Sequence, residues 1–583
     1  MRAASYAVVA VAVIANLSLV AQPRSYIPGN VTGQLALART VDPRLQASQA
    51  LGAFVAGLQN AEISKVPTRF PHPPLSGLLG ATAPVATSPM QSLPVIPSGG
   101  FGFTGLTHFD QRQANSGNQL SIEPSNPSIA VANNIILEGV NNAVRVYTTS
   151  GTTLLPTLSS NQLFGLSPAF NRSTGAFGSF PTDMRVYFDQ DINRWLVLQR
   201  SQDNDINGNP LNSSHIYLAV TQTPDPVGIY NIYVMDTTHA GNPGCPCVAD
   251  YPQVGSDQYG LYISANEYNT STQGFVDATI LAISKSDLGA GASAPAAYRF
   301  VITRSTGYEF SIQPAITPPG GSHFIASGGV EYFVSSQASF ASDSHLGLWA
   351  LSNTASLQSA SANLLLTQTT VGTLAYSYPG IARQRPGPLP YGSSLTPPGQ
   401  LAFIDGGMDS RVLSLSYAGG RLFATLATTV VDEAGRNLVG GAYVILSPTL
   451  RSGILASTII KQGYILASGN NVLRPAVAVN AQGRGAISFT LAGPDYYPSA
   501  AFVTVDTSSA APSVIQIAAP GAFPEDGFTG YPGGIATGVA RWGDYSTAVT
   551  ATDGTIWMVS EYIPNALRTQ LANWGTFVSN YLP

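Results

Sequence analysis

The sequence predicts an all-β fold, a β-propeller of seven blades carrying a Pro-rich N-terminal extension. Three observations predict it. A short phrase recurs at near-regular spacing, each copy is followed by turn-separated apolar strands, and the composition is rich in glycine and proline but poor in charge.

The phrase reads polar or aromatic residue, Pro, small or polar residue, Val or Ile, then Ala or Gly. Its copies are Asn126-Pro127-Ser128-Ile129-Ala130, Tyr251-Pro252-Gln253-Val254-Gly255, Gln313-Pro314-Ala315-Ile316 and Arg474-Pro475-Ala476-Val477-Ala478. Looser copies are Asp183-Met184-Arg185-Val186, Asp409-Ser410-Arg411-Val412 and Trp542-Gly543-Asp544-Tyr545-Ser546. Their spacing is 57 to 69 residues, apart from one longer gap between positions 314 and 410. That gap contains PGIARQRPGPLPYGSSLTPPGQ and reads as an insertion over about 354–400. Proline fits the first position of a strand, where no ladder N–H is needed.

After each phrase a turn with Asp, Asn or Gly leads into an apolar strand. DQDINRWLVLQRS at 189–201, DQYGLYISANEY at 257–268, AQGRGAISFTLAG at 481–493 and ATDGTIWMVSEY at 551–562 are examples. A further alternating strand follows, as at 215–220 and 279–283. Strand, turn, strand at a fixed period is the pattern of propeller blades. β-Sandwich domains need about 100 residues each, so the same stretch would hold only four or five of them, against seven repeats.

The N-terminus reads differently. Residues 1–21 have one Arg before an apolar run and small residues after it, the pattern of a cleaved signal peptide. Residues 22–100 are rich in Pro, Ala, Ser and Leu and suit an extended linker or a strap on a domain surface. Helical spacing within 35–58 suggests a short helix there. The propeller is expected over 101–583, with 101–109 a candidate strand for closing the last blade. No segment after the signal peptide is apolar enough to span a membrane.

Charged residues are 10% of the chain, against about 25% in an average domain, while Gly numbers 58 and Pro 42. Low charge with 44% hydrophobic types excludes a disordered chain. The 26 basic against 31 acidic residues leave no surplus for nucleic acid. Lys65, Lys285 and Lys461 are the only lysines. Removing charge avoids self-repulsion in acid, so a secreted or cell-surface location in an acidic environment is expected, with stability nearly flat down to about pH 3.

Chemistry is expected where the phrases start the inner strands, because their polar side chains then converge on one channel mouth. Arg185, Arg411, Arg474, Arg541, Asp183 and Asp544 are the candidate ligand-binding residues, with Asn126, Asp250, Tyr251 and Gln313 beside them. Arginines from several blades suit a carboxylate or other anion. The competing expectation is that Asp and Arg pair with each other and close the channel.

Asp203, Asp205 and Asn207 in Asp-Asn-Asp-Ile-Asn-Gly match the start of a Ca2+ loop, though Ser214 stands where the loop's bidentate Glu belongs. Cys245 and Cys247 in Gly-Cys-Pro-Cys suit a local disulfide better than a metal site, since two thiols with no further Cys make an incomplete site. The six histidines lack ligand spacing, and nucleotide-binding, zinc-protease and serine-hydrolase motifs are missing. Tyr496-Tyr497 reads as inter-blade packing or a sugar-stacking platform.

DYPQVGSDQYGLYISANEY, DMRVYFDQDINRWLVL, RWGDYSTAVTATDGTIWMVSEY and the closing NWGTFVSNY resemble secreted bacterial β-propeller proteins of largely uncharacterised function, distantly similar to sialidase-type propellers. The resemblance spans roughly 120–583 and implies fold rather than activity. The sialidase Asp-box is not intact, since 550–557 approaches it with its spacing off by one. Glu267-Tyr268, Glu331-Tyr332 and Glu561-Tyr562 recur like a Tyr–Glu nucleophile pair, but strand neighbours face opposite ways, which favours a structural use. The expected function is an extracellular binding or scaffold module for a cell-surface polymer, carbohydrate or exported protein. The alternative is a glycan-active hydrolase of sialidase-like architecture.

Overall fold

The computed structural model describes residues 24–47, 90–120, 124–239, 241–337, 342–387, 403–407, 409–507, 512, 514–525, 539–565 and 574–583. The expected signal peptide, most of the Pro-rich run and the core of the insertion lie outside these residues.

Among the described residues are seven antiparallel sheets of four or five strands. Their inner strands are Ser128–Ala132, Phe180–Asp189, Cys247–Ser256, Gln313–Pro314, Val412–Ala418, Asn471–Val479 and Thr547–Thr550, which define blades 1 to 7. Each contains or directly follows a copy of the phrase. Inner strands touch in the order 1 to 7, and blade 7 touches blade 1, so the ring closes on itself. The chain is a β-propeller.

Strand alternation builds the packing between blades. In the second strand of blade 2, Arg194–Asn204, Trp195 and Val197 enter the core shared with blade 1. Leu196 and Leu198 enter the core shared with blade 3. The period of two therefore feeds two cores from one strand. Blade 5 does the same, with Leu422 and Ala424 toward blade 4 and Phe423 toward blade 6. Fully burying a Leu or Val stabilises by roughly 1.5–3 kcal/mol, so all-apolar strands suit blades covered on both faces. The tight hairpin of blade 5 uses Gly419 and Gly420 at φ 57° and 75°, the left-handed pair its strand twist requires.

The described parts of the extension are outer strands. Arg24–Tyr26 adds to blade 4, Gly29–Asn30 to blade 3 and Ala36–Val41 to blade 2. Val95–Pro97 adds in parallel to blade 6. Gly102–Thr107 pairs with Gly575–Tyr581 and supplies the fourth strand of blade 7, joining the two ends of the ring. Within the stretch 35–58, where a short helix is expected, Ala36–Val41 is strand, Pro43–Ala47 is a short helix, and 48–58 lie outside the described residues. The stretch read as an insertion starts later than expected, because Leu365–Tyr376 is the fourth strand of blade 4. Among the described residues, no helix is long and apolar enough to cross a membrane.

Candidate functional site

The inner strands of blades 2, 3 and 6 bend within their pairing, near the mouth. Register shifts fall between Thr182 and Arg185, Asp250 and Gln253, and Leu473 and Ala476. Such bulges re-aim side chains. Asp183, Tyr251 and Arg474 occupy them with φ of 57°, 54° and 55°, and Asn126 and Ser311 are left-handed at the heads of blades 1 and 4. Left-handed backbone is uncommon outside glycine and costs of order 1–3 kcal/mol per residue. Side-chain amides hold it in place: Asn141 accepts from the Asp183 N–H at 2.8 Å, Asn126 from the Asp544 N–H at 2.7 Å, and Asn266 from the Ser311 N–H at 2.8 Å.

The bent heads bring five arginines and five aspartates to one mouth. Arg200 Nε is 2.8 Å from Asp183 and its Nη2 is 3.2 Å from Asp250. Arg411 grips Asp409 with both arms, at 2.8 and 2.6 Å. Burial opposes the Arg411 charge, but Asp409 outweighs it and raises its pKa. Arg541 bridges Asp405 and Asp544, and Arg474 lies 3.4 Å from the same Asp405. Asn126 ties Asp183 to Asp544 at 3.2 and 2.8 Å.

Of the predicted residues, Asp183, Asp544, Arg185, Arg411, Arg474 and Arg541 all reach this mouth, and three of the four arginines hold carboxylates. Arg200 and Asp405 were not foreseen. Arg200 lies on a second strand and is recoverable only from the register that sets it opposite Thr182. Asp405 follows the insertion and is delivered by a small sheet of Ile381–Arg383, Phe403–Asp405 and Val539–Ala540, for which no local pattern gives a signal.

Arg185 differs from its neighbours. Its guanidinium lies over the Tyr545 ring at 3.3 Å and 5.8 Å from the Tyr251 ring. Tyr251 meets Tyr545 edge-on at 5.9 Å, and Arg411 covers Tyr251 at 4.3 Å. These buried rings and cations plug the mouth. Beneath the plug a cavity of about 80 Å³ follows the ring axis, from Arg185 to Gln190 and Pro318. That is well below the roughly 300–1,000 Å³ of sites for drug-sized ligands.

The recurrent Glu–Tyr dipeptides serve the fold. Glu561 accepts from the Gly543 N–H at 2.8 Å, and Glu331 from the Ala315 N–H at 2.9 Å. Burial first, then the Asp257 charge, pushes Glu331 well above the usual carboxylate range. Glu267 pairs with His239 at 2.9 Å. Tyr496 packs against the core between blades 5 and 6, while Tyr497 carries Arg385 on its ring at 4.8 Å.

In the candidate calcium loop, Asp203 and Asp205 turn to different partners. Asp203 accepts from Ser179 and Ser213 at 3.0 and 2.8 Å and lies 3.3 Å from His215. Asp205 accepts from the N–H groups of Asn207 and Asn209, both at 2.9 Å, as an Asx turn does. Asn207 thus meets Asp205 through its backbone. Cys245 and Cys247 form a disulfide, and their sulfurs and the Glu267 carboxylate lie within 4.8 Å of one another. Four of the described histidines, His215, His239, His323 and His345, each face a carboxylate. His108 instead stacks on Trp574.

No family model and no curated protein matches the chain. Solved structures align at low identity. The Trypanosoma rangeli sialidase in complex with the inhibitor DANA matches at 8% identity over 71% of this chain and 57% of its own, with a TM-score of 0.29. The phage phi92 endosialidase matches at 9% identity over 84% and 68%, with a TM-score of 0.30. An exo-1,5-α-L-arabinanase from a bovine ruminal metagenomic library matches at 9% over 57% and 96%, with a TM-score of 0.22. The chain thus spans little more than half the length of the sialidase. Its identification as a propeller stands on its own strand pairing.

Proposed function

We propose that the protein is an extracellular binding module that recognises an uncharged polymer, such as a neutral carbohydrate, on the mouth face of the ring. The observation that carries this reading is the internal neutralisation of the mouth. Arg200, Arg411, Arg474 and Arg541 each hold carboxylates, so the face presents fixed, paired polar groups in place of an open arginine cluster. Most glycoside hydrolases use two carboxylates free to act as acid and as base or nucleophile, and those with a Tyr nucleophile still need a free acid/base carboxyl. The mouth aspartates are engaged with guanidinium groups, and Glu561 with backbone. The disulfide suits an oxidising compartment and supports the expectation of secretion, and the low charge supports an acidic one.

The test combines a glycan array with a turnover screen on neutral and acidic glycans, including sialosides. Saturable binding to a neutral glycan without turnover is expected. Turnover that disappears in Asp183→Asn while folding persists would replace binding by hydrolysis. Capture of an exported protein with a silent array would move the partner to that class.

A further inference from the structure

We propose that Arg185 holds a small planar oxyanion of the carboxylate class, such as formate, acetate or bicarbonate, inside the axial cavity beneath the Tyr251–Tyr545 plug. The site is separate from whatever docks on the mouth face, and it rests on three observations.

Arg185 is 7% exposed, and its Nε and Nη2 have no hydrogen-bond partner. The other four mouth arginines lie 3.4 Å or less from a carboxylate, whereas the contacts of Arg185 are the two aromatic rings. A buried charge without a counter-charge is costly, and an aromatic π face offsets only part of that cost. Something anionic completes the balance.

The two unpartnered nitrogens lie on one edge of the guanidinium. Nε–H and Nη2–H form the parallel fork that matches two oxygens of a planar anion. A halide or a tetrahedral dianion uses that geometry less well.

The cavity that Arg185 lines sets the size. About 80 Å³ is small beside the roughly 300–1,000 Å³ of sites for drug-sized ligands and suits an ion of three or four heavy atoms. Ser128 and Ser546 hydroxyls line the same space, as does Gln313, whose Oε1 is buried and unpartnered. A serine hydroxyl donates to a carboxylate oxygen, and the Gln313 acceptor suits the hydroxyl of bicarbonate.

Equilibrium dialysis of the full chain with radiolabelled formate, at ionic strength fixed by chloride, tests this. One saturable site per chain is expected, competed by acetate and bicarbonate but not by added chloride, with formate raising the melting temperature by mass action. Arg185→Met should weaken binding by about tenfold or more, since each charge-assisted bond contributes about that factor. Arg185→Lys, with the charge but no fork, should fall between. Absence of saturable binding in the wild-type protein would assign the cavity to water and overturn the proposal. Equal competition by chloride, or unchanged binding in the folded Lys variant, would overturn the fork.

Discussion

The inner strands begin at the mouth and finish at the far end of the ring, and their two ends are held differently. At the far end Lys285 draws Asp189 at 2.8 Å, Asp191 at 2.5 Å and the Asp257 carbonyl at 2.6 Å onto one buried ammonium. Burial opposes that charge, and the two aspartates outweigh it, so the Lys285 pKa is raised. The turns there are tied by local side-chain hydrogen bonds: Asp189 accepts from the N–H groups of Asp191 and Ile192, and Asp257 from those of Tyr259 and Gly260. At the mouth the charges come from residues as distant as Asp405 and Arg541, and the backbone is left-handed at Asn126, Asp183, Tyr251, Ser311 and Arg474. Hairpin turns around one ion suffice to lock blades together. At the mouth the left-handed backbone falls on Asp183, Tyr251, Ser311 and Arg474, whereas in the far-end turns it falls on Asn133, Asn134 and Asn193, a residue type that tolerates it; backbone held against its preference is the arrangement associated with ligand sites.

The largest effect should come from the far end. Lys285→Met leaves Asp189 buried without its counter-ion, and breaking such a pair costs about 3–5 kcal/mol. Urea unfolding should show that loss. A change under about 1 kcal/mol would mean that the far end is not the lock and would erase the contrast. At the mouth Arg411→Ala should cost less, about 2–3 kcal/mol, the value of charge-assisted bonds lost, because the Asp409 side chain is 14% exposed and regains water. Equal costs at both ends would show that the mouth is as structural as the far end.

The contrast also explains what could be read from the sequence. The phrase marks the inner-strand heads because proline and small residues are required locally, so Asp183, Arg185, Arg411, Arg474 and Asp544 were placed at one mouth without a structure. Which arginine stays without a carboxylate was not legible. That depends on Arg200 crossing from a second strand to Asp183 and on the small three-stranded sheet delivering Asp405, distances that no local pattern encodes. The outer strands of the extension were hidden for a similar reason: Arg24–Tyr26 and Gly29–Asn30 are too short to show alternation.

Titration should separate the two ends as well. On the mouth side of blade 3, burial and then the Glu267 carboxylate push Asp277 up to about 7. A raised carboxyl pKa makes the folded state bind more protons, so stability falls as pH rises from about 4 to about 7. At the far end Asp191 is held low: burial raises it, but the His323 hydrogen bond and Lys285 outweigh that. Its contribution is present above its unfolded pKa near 4 and is lost as pH falls below that. Glu309, lowered to about 2 by hydrogen bonds from Ser305 and Thr306 that outweigh burial, acts the same way. The melting temperature should therefore rise by at most a few degrees between about pH 7 and pH 5, then decline in stronger acid, in place of the flat profile expected from composition. Asp277→Asn should reduce the rise, the remainder coming from the likewise raised Glu331 and Glu138, and keep the decline. A variant whose rise is unchanged would move its source away from Asp277.

The smallest effect belongs to the Cys245–Cys247 disulfide, which stands where the chain enters the blade 3 inner strand. A bridge stabilises chiefly by restricting the unfolded chain, and the restriction grows with the loop it closes. Here the sequence separation is two, so the chain-entropy contribution is only about 1.6 kcal/mol. The blade pairing on either side does not need the bridge: Cys247 already lies opposite Asn269 in the sheet, and its N–H donates to the Thr238 carbonyl at 2.8 Å. Reduction with dithiothreitol followed by thiol alkylation should therefore shift the urea midpoint slightly and leave glycan binding intact. A shift of several kcal/mol would place the bridge among the devices that hold the mouth in its left-handed form, because the residue it would then be positioning is Tyr251, four positions further along the same strand.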